Sequence, residues 1–124
     1  MLAVGEHLCT EVPGAAMRAA AGFGGGVGST HEELCGAFTG GVLALGLRYG
    51  RDDSSGDKSL AVELTRRWRE VFLERFRHLQ CRPIYDLVHE PGQPGTCAVI
   101  GREAAAALAS LLEESDCAPA DETP

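Results

Sequence analysis

Ten of the chain's 16 glycines fall between Gly22 and Gly50. Glycine loses more backbone freedom on folding than any other residue, so such a density points to backbone shapes or approaches that side chains forbid. The ten form two patterns. Gly22-Phe23-Gly24-Gly25-Gly26-Val27-Gly28 breaks regular structure and allows positive φ in succession. After it, Gly36, Gly40 and Ala44 recur at spacing four, as do Ala37 and Gly41, within an apolar stretch from Leu34 to Arg48. That spacing predicts a helix with a small-residue face, able to let another backbone come close. It is expected to be the centre of the fold, capped by Ser29 or Thr30, with Glu32 and Glu33 in its first turn and Gly50 as a left-handed stop.

The other segments also read as helical. Leu2 to Leu8 and Gly14 to Ala21 are two short helices separated by Pro13, which a helix interior does not accommodate. Arg51 to Lys58 is a polar loop. Leu60, Leu64, Trp68, Val71, Phe72 and Phe76 recur near period 3.6, predicting an amphipathic helix over Ser59 to Leu79. Arg82-Pro83 opens a turn or short helix to Val88, Pro91 to Gly95 is a loop, and Cys97 to Glu114 is a last, alanine-rich helix. No alternation suggests a strand. The predicted fold is all-α, a compact bundle of about five helices around the small-residue helix, as one domain over 1–116 with an acidic flexible tail over 117–124.

With 124 residues, 44% of them apolar and 23% charged, the chain can bury a core of its own. Its net charge of −7 makes nucleic acid and anionic membrane poor partners. No apolar run nears the roughly 20 residues of a spanning helix, so no membrane insertion is expected. The start has neither a basic region nor a clear cleavage site, and a cytoplasmic location is expected. From Lys58 to Arg82 seven basic and three acidic residues make +4 against −11 elsewhere. The expectation is a solvated face, with an acidic partner or self-association as the alternative.

Several familiar sites do not form. A dinucleotide G-x-G-x-x-G would need glycine at position 27 or 29, which hold Val27 and Ser29, and no Walker lysine follows. His31-Glu32-Glu33-Leu34-Cys35 imitates the zinc-protease helix, with cysteine where its second histidine belongs. No Glu-x-x-His pair is present for a di-iron bundle. The cysteines carry more. They are five, Cys9, Cys35, Cys81, Cys97 and Cys117, with no C-x-x-C, so any shared site must be assembled by the fold. Cys35 lies at the start of the central helix, Cys81 after the long one, and Cys97 opens the last. Three thiols at three helix termini could meet at one end of a bundle.

The stretch Gly22–Gly28, then Leu34-Cys35-Gly36-Ala37-Phe38-Thr39-Gly40-Gly41 and Leu45-Gly46-Leu47-Arg48-Tyr49-Gly50, strongly resembles a family of redox-active proteins named for its C-GCAxxG-C-C pattern. A related domain occurs in split-Soret cytochromes. Phe72, Phe76, Cys81 and Cys97 continue the match over nearly the whole chain. The resemblance implies that Cys35, Cys81 and Cys97 are the second, third and fourth family cysteines, in a protein suspected of holding an iron–sulfur or other metal centre. The first has no clean counterpart. Cys9 stands 14 positions before Phe23, too close, and Met1 to Val4 looks like helix just past the missing cysteine. The expectation is a late start, the alternative a divergent member using Cys9.

Three functions are therefore carried forward. The first is a metal or iron–sulfur protein acting in electron transfer or redox sensing. Its ligands are Cys35, Cys81 and Cys97, with Cys9, His31, His78, a second subunit or solvent as the fourth. In that reading Gly24, Gly25, Gly26 and Gly28 bring backbone N–H groups near the sulfurs, and a redox partner protein is expected. The second is a thiol enzyme with Cys35 as nucleophile and Cys81 or Cys97 as resolving thiol. The third is a zinc-stapled interaction module. Cys117 is expected to stand apart. The Gly36/Gly40 face serves an internal contact or, alternatively, a homodimer.

Overall fold

A computed structural model describes residues 11–113. The expected helix over 2–8, Cys9, Cys117 and the acidic tail lie outside the described residues. Helix α1 (Gly14–Ala20) is followed by a 3-10 turn at Ala21–Phe23, then α2 (Gly36–Tyr49), α3 (Ser59–Phe76), α4 (Cys81–Val88) and α5 (Ala98–Leu111). The fold is all-α. Among the described residues the nearest approach to a strand is one antiparallel bridge, Leu34 with Gln80. No helix among them is long and apolar enough to cross a membrane.

Helix α3 organises the core. Leu64, Trp68, Phe72 and Phe76 follow one another at spacing four, which keeps them on one face, and all are buried. Each such side chain contributes roughly 1.5–3 kcal/mol by leaving water. The aromatic rings interlock: Trp68 meets Phe72 edge-on at 5.6 Å, Phe72 lies 4.5 Å from Phe76, and Phe38 of α2 lies 5.4 Å from Phe72. Ile100, Ala104, Leu108 and Leu112 close the core from α5, and Ile84 and Val88 from α4. Leu60, expected on the same stripe, is 53% exposed because it lies on the helix's first turn, beyond the reach of α2 and α5.

Gly41, in the second small-residue row of α2 with Ala37, meets another helix of the same chain. A Cβ on Gly41 would overlap the Trp68 indole, lying 2.7 Å from its Cε2. The absence of that Cβ lets Trp68 Nε1 donate to the Phe38 carbonyl at 3.1 Å, satisfying a buried polar group. Ala44, on the same helix, is fully buried.

Three local expectations are corrected. Ser29 and Thr30 do not cap α2. The glycine coil continues past them, with left-handed φ at Gly25, Gly26, Val27, Gly28, Ser29 and His31, and the helix starts only at Gly36. Thr30 Oγ1 instead donates within the coil, to the Gly26 and Val27 carbonyls. Gly50 is extended, with φ −77° and ψ −178°, because its N–H still donates to the Gly46 carbonyl while the chain turns outward. Helix α3 ends at Phe76, before the expected Leu79, because Arg77 takes a left-handed φ of 68° and turns the chain toward the bridge.

The basic run is a solvated face. Arg66, Arg69, Arg75 and Arg82 are exposed and pair with Glu63, Glu70, Glu103 and Glu32. Pairs so exposed add little stability.

Candidate redox site

The single bridge places two of the cysteines. Cys35 N–H donates to the Leu79 carbonyl at 2.7 Å and Cys81 N–H to the Glu33 carbonyl at 2.8 Å, so Leu34 and Gln80 face each other between these bonds. Cys35 and Cys81 each follow a bridge residue, and side chains alternate along extended backbone, so both project to the same side. Both thiols are free and buried.

Each residue also starts a helix. Cys35 is the N-cap of α2, Cys81 the first residue of α4, and Cys97 the N-cap of α5. The three line one mostly apolar cavity of about 350 Å³, together with Gly25, His31, Gly36, Ala37, Tyr85, Ile100 and Gly101. Cys97 is exposed and forms its rim. Three helix N-termini thus border one space.

Burial and neighbouring charge act on two of the thiols. Burial first, and then negative charge at Cys35 and Cys97, pushes the Cys81 thiol up from its ordinary value. Burial, followed by charge at Cys35, pushes Cys97 up as well. Both are therefore protonated at neutral pH until something replaces the proton.

The glycine coil packs against this site through its backbone. A Cβ on Gly26 would lie 2.7 Å from Cys81 Cβ and 3.2 Å from its Sγ. Gly25 lines the cavity, and Gly24 packs on Gly36, whose Cβ would stand 3.5 Å from the Gly24 Cα. Gly28 lies away from the sulfurs, with only Thr30 Cγ2 at 4.0 Å from where its Cβ would be. The N–H groups of Val27 and Gly28 donate to the Phe23 and Gly22 carbonyls, closing the coil on itself. Arg82 ties it to α4 by reaching the Thr30 carbonyl and Glu32.

His31 belongs to the site: its Nδ1 lies 3.3 Å from Cys81 Sγ. It does so from the left-handed coil, with φ 61°, not from the protease-like helix that its sequence context imitates. His78 is exposed and does not line the cavity. Tyr85 and Gly101 were not foreseen. Each stands four residues after a cysteine, Cys81 and Cys97, and that spacing on a helix puts them on the cysteine's own face. Tyr85 holds the His31 ring, with centroids 4.2 Å apart, and stacks in turn on His89 at 4.0 Å.

The donor set is three thiols and one imidazole nitrogen, soft ligands suited to iron or zinc. Among the described residues no three of His, Cys, Asp or Glu converge closely enough to hold a single metal ion.

The family model described as "Putative redox-active protein (C_GCAxxG_C_C)" matches residues 1–111. No curated protein matches the chain. No solved structure matches it either.

Proposed function

The chain belongs to the C_GCAxxG_C_C family of redox-active proteins, and from that premise we propose that Cys35, Cys81 and Cys97 hold an iron–sulfur cluster used in electron transfer or redox sensing. One observation carries this reading: cysteines from three separate helix starts, up to 62 positions apart in the chain, line a single cavity. When bound, such a cluster supplies one-electron transfer. The chain's own residues do the rest. Ile100, Ala37 and the glycine coil keep water from the buried thiols, and three helix N-termini border the same cavity. The exposed rim at Cys97 is the face a redox partner protein would meet. A reducing compartment such as the cytoplasm suits free thiols of this kind.

The other readings draw less support. A nucleophilic cysteine works as an accessible thiolate. Here Cys35 is 8% exposed and Cys81 6%, and the more open Cys97 is pushed toward the neutral thiol. A zinc staple needs ligands gathered on one ion.

Anaerobic purification, followed by a visible absorption spectrum and iron, zinc and acid-labile sulfide on the same sample, tests the proposal. Broad visible bands with stoichiometric iron and sulfide, lost in Cys35→Ala, are expected. A folded, colourless protein without iron or sulfide would overturn it, and stoichiometric zinc would select the staple.

A further inference from the structure

The geometry points to His31 Nδ1 as the fourth ligand of the centre, bound to the same metal atom as Cys81. This rests on the cluster reading above and supplies what that reading lacks, since an ordinary cluster takes four protein ligands and the cavity offers three thiols.

The spacing is that of two ligands on one atom. Metal–sulfur and metal–nitrogen bonds of about 2.3 and 2.0 Å at a tetrahedral angle put the two donors about 3.5 Å apart. Nδ1 and Sγ stand 3.3 Å apart. Cys35 and Cys97 line the same cavity and would supply the remaining ligands.

The chain also holds the imidazole in place. His31 has a left-handed φ of 61°, a conformation that costs a side-chain-bearing residue roughly 1–2 kcal/mol. Its N–H is fixed on the Gly25 carbonyl at 2.8 Å, inside the coil that presses on Cys81. The face of its ring is set by Tyr85, which is itself held between His31 and His89. Ligand histidines are commonly oriented in this way by outer residues, and Tyr85 is here a positioning residue. His78, the other histidine near a cysteine in sequence, is outside the cavity.

The full chain reconstituted anaerobically with iron and sulfide, then reduced, tests the assignment by pulsed EPR. A strongly coupled nitrogen is expected in the wild type, changing its splitting when the protein is grown with 15N-histidine. His31→Ala should lose that nitrogen and retain several-fold less iron and sulfide. His31→Cys should keep the cluster, lose the nitrogen and show a lower midpoint potential, because a thiolate adds negative charge where the imidazole was neutral. Cys9→Ser should leave loading and the nitrogen signal intact. A loaded wild type with no coupled nitrogen, or a nitrogen that survives in His31→Ala, would overturn the ligand assignment alone. So would loss of the cluster in Cys9→Ser but not in His31→Ala. A wild type that takes up neither iron nor sulfide would overturn the cluster reading and this assignment together. The labelling experiment needs no variant, so a loaded wild type without a coupled histidine nitrogen overturns the assignment even if a substitution prevents folding.

Discussion

A methyl group on Gly26 would press on Cys81 Cβ at 2.7 Å and on His31 Cα at 2.9 Å, at a position whose φ is +73°. Both the conformation and the space demand glycine. Gly26→Ala is expected to cost about 1–3 kcal/mol in urea unfolding and to reduce cluster loading, because the same contact sets Cys81. Gly28 shares the positive φ but meets nothing nearer than 4.0 Å. Gly28→Ala should therefore cost only the backbone part, about 1 kcal/mol. The cysteines make a second residue-scale prediction. Burial and neighbouring thiols raise Cys81 and Cys97 above the ordinary thiol value of 9.0. The folded state thus holds these protons more tightly than the unfolded chain. That stability is fully present below the unfolded value and is lost as pH rises through the folded one. Melting temperatures of the metal-free protein should fall above pH 9.0, and Cys81→Ala should flatten the fall. An equal decline in the variant would contradict this account.

At the scale of elements, α2 and α3 are joined by the fit between a missing side chain and a large one. Gly41→Ala forces the Trp68 indole aside and strains its bond to the Phe38 carbonyl. A loss of about 1–3 kcal/mol is expected, with a shifted tryptophan emission that reports the displaced ring. Along α3 the buried stripe and the first turn should respond very differently. Phe72→Ala, at a fully buried position between three rings, is expected to cost about 3–5 kcal/mol. Leu60→Ala, at 53% exposure, should stay within about 0.5 kcal/mol. Chemical denaturation of the two variants checks the pair, and similar losses would mean that Leu60 is packed. Helix α1 has no buried residue among its seven.

For the whole molecule, the site sits where α2, α4 and α5 begin, so a bound group would link three elements, of which α2 and α4 are already joined by the backbone bonds of the Leu34–Gln80 bridge. A ligand that binds the folded chain and not the unfolded one stabilises in proportion to its affinity. Loading with iron and sulfide should therefore raise the melting temperature, and removal with a chelator should return it to the metal-free value. Calorimetry on the two forms checks this. An unchanged transition would separate the thiols from the folding of the chain.

Much of this was legible in local spacing. The 3.6-residue recurrence of Leu64, Trp68, Phe72 and Phe76 determined α3 and its buried face, because a helix repeats its faces whatever lies opposite. Gly25, Gly26 and Gly28 marked a coil able to take positive φ, although Val27, Ser29 and His31 take it in the same coil without such a mark. The placement of Cys35 and Cys97 at helix starts was readable for the same local reasons. Three features were decided only by tertiary structure. Leu34 pairs with Gln80, His31 with Cys81 and Gly41 with Trp68, across 46, 50 and 27 positions of sequence. None of these pairs leaves a periodic mark, since each depends on how two separately formed elements dock. Periodicity shows which face of an element is apolar. Only the packed chain determines what that face meets, and the candidate centre is made entirely of such meetings.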